Sequence, residues 1–270
     1  MRLRRLLGGA ALALVLQAAQ AGQPDPRVIR VQPSAAEVPA NLLRMSISFA
    51  APVEGLVLPR IALTRADGSS LQDPFLQQEL WSPDGRILTL LLNPGRVKTG
   101  LVAREQWGPI LRQGEDVVLT LDGRPIKQWH VDDVDANGPA PSAWKVASVR
   151  PASRQPLVVN LDGPIDGREA DYLAVVTADD RVVEGDARLE DGETTWVFTP
   201  RDTWRVGEYR LVVRGTLEDP AGNRLGGHFE TPMAEHQGPA TDVAIVFKVG
   251  AVEPSRRSIG QPGRRSGAGR

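Results

Sequence analysis

A strand-and-turn pattern that occurs twice constrains this chain more than any other feature of its sequence. The first copy opens at Val31-Gln32-Pro33 and the second at Val149-Arg150-Pro151. Each copy continues through apolar segments and Gly-bearing turns to a strand that ends in Asn-Pro or Thr-Pro. The copies lie much further apart than the roughly 20–50 residues of a solenoid repeat, so the pattern indicates a duplicated domain.

Alternating polarity within each copy is typical of half-buried antiparallel strands. Met45, Ile47 and Phe49 alternate with serines, and Val117–Leu121 and Tyr209–Val213 have the same period of two. The same pattern predicts that Thr241–Val249 is a closing strand, because its large apolar residues also alternate. A further segment, Ile87–Leu92, is apolar on both faces and suits a central strand.

Turn residues separate these strands. Asp-Gly steps accept the positive φ of tight hairpin turns, and the 22 Pro and 27 Gly disfavour long helices. Short strands between such turns predict a β-sandwich. We therefore expect an all-β chain with two tandem antiparallel β-sandwiches at 27–131 and 144–249, joined by a short linker at 132–143.

The second copy carries three segments of a known pattern. They are Leu161-Asp162-Gly163-Pro164-Ile165-Asp166, the strand Trp204–Val213, and the turn Leu217-Glu218-Asp219-Pro220-Ala221-Gly222-Asn223. With these segments the copy resembles a bacterial immunoglobulin-like domain of the type found in S-layer and other cell-surface proteins. The first copy resembles it loosely, because it lacks the Ala-Gly-Asn turn and carries the insertion Arg96–Gln113. The resemblance implies two tandem immunoglobulin-like sandwiches that serve as spacers or adhesive modules, and it implies no catalytic residues.

The N-terminus has the three parts of an export signal. A cationic start, the apolar run Leu6–Leu16 and the small residues of Ala19-Gln20-Ala21 predict a signal peptide at 1–21 that is cleaved before Gly22. The apolar run is about half the length that spans a bilayer. We expect an exported mature chain without a transmembrane segment, located in the periplasm or at the cell surface.

The C-terminal residues 250–270 form a basic tail. It contains five Arg and one Glu among Gly, Ser and Pro, and so few apolar side chains predict disorder. The tail is either idle and solvated or an Arg-rich contact with anionic lipid or polysaccharide. Between the two basic ends the body of the chain is acidic, which disfavours nucleic acid as a partner.

Residues for chemistry are scarce. The chain has no Cys and three His, and it contains no nucleophile elbow, zinc helix or phosphate-binding glycine loop. His228, Glu230 and His236 are interpreted as a polar loop at the end of a strand, and the pairs Asp179-Asp180 and Glu190-Asp191 as solvated hairpin turns. We predict that the chain is not an enzyme, with no catalytic, cofactor-binding or metal residues and no cofactor.

The insertion Arg96–Gln113 has no clear period. The preferred interpretation is a long connection over the end of the first sandwich, with Trp107 as its plug. The alternative is a binding loop with Trp107 as a stacking anchor. We expect Trp196 and Trp204 to pack in the core, whereas a line of exposed tryptophans that also includes Trp107 and Trp129 would form a sugar platform.

The predicted linker begins like a calcium loop. Asp133, Asp135 and Asn137 supply oxygen ligands at alternate positions, and Gly138 follows them. The twelfth position is Trp144 where a bidentate Glu is needed, so we expect at most weak calcium binding and interpret the segment as a linker.

These observations predict a non-catalytic, exported structural or interaction module of the periplasm or cell surface. Its partner would be an envelope protein or a polysaccharide. The alternative function is a carbohydrate-binding module that acts through exposed aromatic side chains.

Overall fold

The computed structural model describes residues 27–225 and 240–250. The predicted signal peptide, the segment with His228, Glu230 and His236, and the predicted tail beyond Gly250 lie outside the described residues. Within the described ranges the chain is all-β, with fifteen strands, two short α-helices and three single-turn 3-10 helices. None of the helices in these ranges is long and apolar enough to cross a membrane.

The first half of the chain forms two four-stranded sheets. Its strands are β1 (Val28–Gln32), β2 (Glu37–Pro39), β3 (Arg44–Phe49), β4 (Ile61–Arg65), β5 (Leu80–Trp81), β6 (Ile87–Leu91), β7 (Asp116–Leu121) and β8 (Arg124–Asp132). One sheet has the order β1-β3-β6-β5 and the other β2-β8-β7-β4. Their pairs are antiparallel apart from β2 and β8, which run parallel. We call this half the first sandwich.

The second half also forms two sheets. Its strands are β9 (Lys145–Val146), β10 (Leu157–Asn160), β11 (Leu173–Thr177), β12 (Gly185–Glu190), β13 (Thr195–Pro200), β14 (Gly207–Val213) and β15 (Val243–Val249). The sheet orders are β12-β13-β10-β9 and β11-β14-β15, and all of these pairs are antiparallel. We call this half the second sandwich.

Each sandwich encloses its own cluster of buried apolar side chains. The first cluster includes Ile47 and Trp129, and the second includes Trp196 and Leu211. The first cluster draws its members from between Val31 and Val131, and the second from between Trp144 and Val249. Inward side chains come from alternate positions of the strands, as the period of two requires.

The strands predicted from the sequence pattern are confirmed. The segments predicted around Met45, Ile87, Val117 and Tyr209 form β3, β6, β7 and β14. The predicted closing strand is β15, which pairs with β14 over seven residues. The first strand after the predicted linker, β9, ends at Val146, after which Ala147 still donates its N–H to the Val158 carbonyl.

The insertion Arg96–Gln113, predicted as a long connection, includes helical segments. It overlaps two short helices, α1 (Pro94–Val97) and α2 (Val102–Trp107). The side chain of Asn93 caps α1 by accepting a hydrogen bond from the Gly95 N–H, and Pro94 stands at the first helical position, where it needs no N–H partner. Gly108 ends α2 with a positive φ of 72°.

Removal of β15 provides a test of the fold. A chain truncated after Pro239 loses Ile245, Phe247 and Val249 from the core, and Phe247 packs on both Trp204 and Tyr209. Each such side chain contributes about 1.5–3 kcal/mol when fully buried. We expect the free energy of unfolding in urea to fall by several kcal/mol relative to a control truncated after Gly250. Equal midpoints for the two truncations would contradict the role of β15.

Candidate functional site

Charged side chains converge where the two sandwiches meet. Arg44 begins β3 of the first sandwich. Asp166 and Glu169 lie in the connection from β10 to β11, and Glu218 follows β14 in the second sandwich. We call these four residues the Arg44 cluster.

The Arg44 guanidinium is the centre of this cluster. Its Nη1 lies 3.1 Å from Asp166 Oδ2 and 3.8 Å from Glu169 Oε1, and its Nη2 donates to Glu218 Oε2. The three acidic residues are 6–9% exposed. Arg224 contacts the cluster from its rim, donating from Nε to Glu218 Oε1 at 2.7 Å. The guanidinium of one sandwich is thus enclosed by carboxyl groups of the other.

Burial and charge shift the pKa values in this cluster. Burial lowers the pKa of Arg44, but Asp166, Glu218 and Glu169 outweigh this effect and raise the pKa above its ordinary value. Burial raises the pKa of Glu169 to about 8, with Asp166 and Glu218 adding to the rise, while the Glu218 N–H and Arg44 oppose it. Near neutral pH the Glu169 carboxyl is therefore mostly protonated. The ion pairs of the cluster are then those of Arg44 with Asp166 and Glu218 and of Arg224 with Glu218.

The turn that carries the family resemblance lies at this junction. Residues 217–223 are all buried, and Glu218 donates its N–H to Glu169 Oε2 at 2.7 Å. The Pro220 carbonyl accepts a hydrogen bond of 2.9 Å from the Leu43 N–H of the first sandwich. Asn223 donates its backbone and side-chain N–H groups to the Asp219 carboxylate. Burial raises the pKa of Asp219 to about 7, despite these two hydrogen bonds.

The segment predicted as a linker is tied to both sandwiches. Asn41 donates to the Asp135 carbonyl at 2.8 Å and accepts from the Asp135 N–H at 2.9 Å. Asn223 donates to the same carbonyl at 3.0 Å. The side chains considered for calcium serve their own loop, since Asp133 accepts from the Val134 N–H and Asp135 from the Asn137 N–H.

A third contact joins the two sandwiches through Glu193. Glu193 is 2% exposed and accepts from Gln32 Nε2 at 3.2 Å and from the Ser34 N–H at 2.7 Å. Gln32 Nε2 also donates to the Gly167 carbonyl. A Cβ on Gly167 would lie 2.3 Å from Gln32 Nε2, so the absence of a side chain permits this close approach.

Little space remains between the sandwiches. The cavity lined by Gln32, Arg44, Thr89, Asp166 and Pro220 has a volume of about 10 Å³, which is close to the space that one water molecule needs. Across residues 27–225 and 240–250, no group of three or more His, Asp or Glu side chains is arranged to hold a metal ion. The carboxyl groups of the junction are arranged around an arginine instead.

The tryptophans considered for sugar binding do not form one surface. Trp129, Trp196 and Trp204 are at most 2% exposed, and their indole N–H groups donate to backbone carbonyls. Trp107 is 57% exposed. The predicted plug is therefore wrong, because Ile110 and Leu111 are the residues of this insertion that enter the core.

Two arginines hold the insertion that presents Trp107. Arg96 is buried and donates to the carbonyls of Gln72 and Gly108. Arg104 donates from Nη1 to the carbonyls of Arg96 and Val97 at 2.8 and 3.0 Å, which joins α2 to α1. Trp107 is thus exposed on a braced element of the first sandwich.

The acidic pairs singled out in the sequence lie at hairpin turns. Asp180 and Asp191 have positive φ values of 62° and 52°. Asp179 accepts from the Thr177 hydroxyl at 2.6 Å and pairs with Arg181, and Asp180 pairs with Arg210. Their exposed positions fit the solvated-turn interpretation.

Sequence reasoning missed the Arg44 cluster. Arg44 and Glu218 are 174 positions apart, so no local pattern joins them. One signal was present: Asp166 and Glu218 stand in two of the segments that carry the resemblance. The residues just before them, Ile165 and Leu217, belong to the core, so both carboxyl groups have restricted access to water. A buried carboxylate needs a nearby cation to compensate its charge.

Comparison with known proteins gives only distant similarities. No family model and no curated protein matches the chain. Among solved structures, the chain is 10% identical to the L,D-transpeptidase LdtMt1, with a TM-score of 0.27 and 62% of each chain covered, which is less than two thirds of that protein's length. It is 11% identical to domains 5-6 of the S-layer protein SbsC, with a TM-score of 0.25 and coverage of 85% of this chain and 100% of that one. It is 13% identical to the Bacteroides uniformis protein SGBP-B, with a TM-score of 0.26 and coverage of 84% of this chain and 50% of that one. These are β-rich proteins, and scores this low carry no information about activity.

Replacement of Arg44 tests the cluster. Arg44→Met leaves buried carboxyl groups without their cation, and loss of one partner of a buried ion pair destabilises proteins by about 3–5 kcal/mol. We expect a loss of this order in urea unfolding. The control is Arg60→Met, which removes the more exposed Arg60–Asp122 pair and should change stability by about 1 kcal/mol or less. Similar losses in the two variants would contradict the assignment.

The raised pKa of Glu169 predicts that stability depends on pH. Its pKa is about 8 in the folded chain against an ordinary 4.5, so between these pH values the folded state binds a proton that the unfolded state lacks. The free energy of unfolding therefore falls as pH rises through this window. Asp219, raised from 3.8 to about 7, acts in the same direction. We expect the wild type to melt at a higher temperature at pH 6 than at pH 8.5.

Glu169→Gln should flatten this pH dependence. The carboxamide resembles the protonated acid, so the variant should be more stable than the wild type at pH 8.5. Glu190→Gln changes an exposed carboxylate on β12 and should leave the wild-type pH dependence intact. Equal slopes in Glu169→Gln and the wild type would refute the role of Glu169.

Proposed function

We propose that the chain is a non-catalytic structural or interaction module that is exported to the periplasm or cell surface. The observation that carries the proposal is the Arg44 cluster, which ties the two sandwiches together through buried charges. A module that spans or connects components of an envelope benefits from a fixed relation between its parts. The buried ion pairs provide such a relation, because their geometry is met in one placement of the sandwiches.

The closed junction also supports a non-catalytic role. Two small sandwiches would most readily form a concave site where they meet, and an enzyme site needs such a pocket with convergent polar groups. Polar groups do converge there, but the Arg44 guanidinium occupies their centre and the remaining cavity is about 10 Å³. Acid-base chemistry at Asp166, Glu169 or Glu218 would require a substrate to displace Arg44.

Export is supported by the sequence of residues 1–21, with its cationic start, apolar run and small residues before Gly22. The partner proposed for the mature chain is an envelope protein or a polysaccharide.

Binding to isolated envelopes tests the proposal. Labelled mature chain should bind saturably to envelope fragments of the cells that produce it. Protease treatment of the fragments should abolish this binding when the partner is a protein. Binding no stronger than that of an unrelated β-sandwich of similar charge, or turnover of an envelope component, would overturn the proposal.

A second candidate function is carbohydrate binding through Trp107. The exposure of Trp107 on the braced α2 favours it, because a fixed indole face can stack on a sugar ring. Leu101 and Val102 are also exposed in this region, at 40% and 66%. The site would be a single anchor, since Trp129, Trp196 and Trp204 are buried.

Substitution of Trp107 distinguishes carbohydrate binding from binding to a protein partner. If Trp107 stacks on sugar, Trp107→Ala should reduce binding to protease-treated envelopes at least about tenfold, which corresponds to about 1.4 kcal/mol. Leu56→Ala is the matched control, because Leu56 is 74% exposed and lies outside the insertion. Unchanged affinity of Trp107→Ala would exclude the carbohydrate site while leaving a protein partner for the module.

A further inference from the structure

The strand β15 lies at the edge of its sheet. It pairs with β14 along its whole length, and no described residue forms a strand on its other side. An open strand edge presents backbone N–H and C=O groups that can pair with another extended chain.

Three other edge strands, β5, β9 and β12, carry features that block such pairing. β5 and β9 are two residues long. β12 alternates the charged residues Asp186, Arg188 and Glu190. By contrast, β15 is seven residues long and has a single charge, Lys248, which lies beside Glu208 of β14. Long edges with few charges are the ones that pair with other chains.

The side chains of β15 are apolar on both faces of the sheet. Ile245 and Phe247 point toward the core but remain half-buried, although their β14 neighbours Tyr209 and Leu211 are buried. On the outer face, Val246 is 55% exposed. A further strand beside β15 would cover the two half-buried side chains.

We propose that β15 pairs antiparallel with β15 of a second copy of this chain. A twofold axis at Val246 would join the two three-stranded sheets into one six-stranded sheet. Such an interface uses the same surface on both copies, as closed dimers do. The proposal adds a partner to the module and does not depend on the identity of its envelope ligand.

The sequence of β15 is self-complementary in this register. Val246 lies opposite Val246 of the partner subunit, and Ile245 lies opposite the partner's Phe247 on the core face. Lys248 lies opposite the partner's Ala244, so the two lysines do not face each other. The register therefore joins apolar side chains at its centre and separates the like charges, which is the reason to favour a second copy over an unrelated strand.

Cysteine cross-linking tests the register. The chain has no Cys, so Val246→Cys places one thiol per chain at the proposed axis. Directly opposed residues of antiparallel strands have Cα atoms about 4.5–5.5 Å apart, within the range of a disulfide. We expect the full mature chain with this substitution to form a covalent dimer under mild oxidation. Val182→Cys is the matched control, because Val182 is 61% exposed and lies outside β15, and it should stay monomeric.

Sedimentation provides a second measurement. The wild type should show a concentration-dependent monomer–dimer equilibrium. Val246→Lys would oppose two lysines at the axis and should raise the dissociation constant at least about tenfold without changing the melting temperature of the monomer. A monomeric wild type, together with equal cross-linking of the two cysteine variants, would overturn the proposal. So would a dimer that appears only after truncation at Gly250, because a segment of the same chain would then occupy the edge.

Discussion

The relative placement of the two sandwiches depends on the Arg44 guanidinium of the first sandwich, which is surrounded by carboxyl groups of the second. Arg44 contacts Asp166, Glu169 and Glu218, and these contacts are largely removed from water. A charge in such a position is stable only with its partners around it. Any movement that separates the sandwiches would leave buried charges without compensation, so the cluster opposes bending at the junction.

A buried ion cluster of this kind is better suited to orientation than to overall stability. Well-packed apolar residues of similar volume often stabilise a fold equally well or better. Apolar surfaces, however, can slide over each other, whereas the hydrogen bonds of Arg44, of Asn41 with Asp135 and of Gln32 with Glu193 require particular atoms to meet. Specific geometry is what the proposed module needs, and the polar character of the junction fits this requirement.

The sequence predicts the strands well and the junction poorly, for a physical reason. Strands such as β3 and β14 follow from a period of two that is visible within a few residues. The Arg44 cluster joins positions that are far apart along the chain, and single residues of ordinary types carry no sign of their partners. Trp107 shows a related difficulty: without a clear period in the insertion, the sequence does not distinguish the exposed Trp107 from the buried Ile110 and Leu111.

The turn that distinguishes the second copy of the motif lies at the junction. The Ala-Gly-Asn turn is present in the second copy, where residues 217–223 are buried against the first sandwich and the Pro220 carbonyl accepts the Leu43 N–H. The first copy has no such turn and carries the insertion with Trp107. Because the Arg44 cluster restrains the two halves, the Trp107 region and the β15 edge are held at a set separation. In the proposed module, contacts at these two places would act at a fixed spacing, and two such contacts together bind more strongly than either alone.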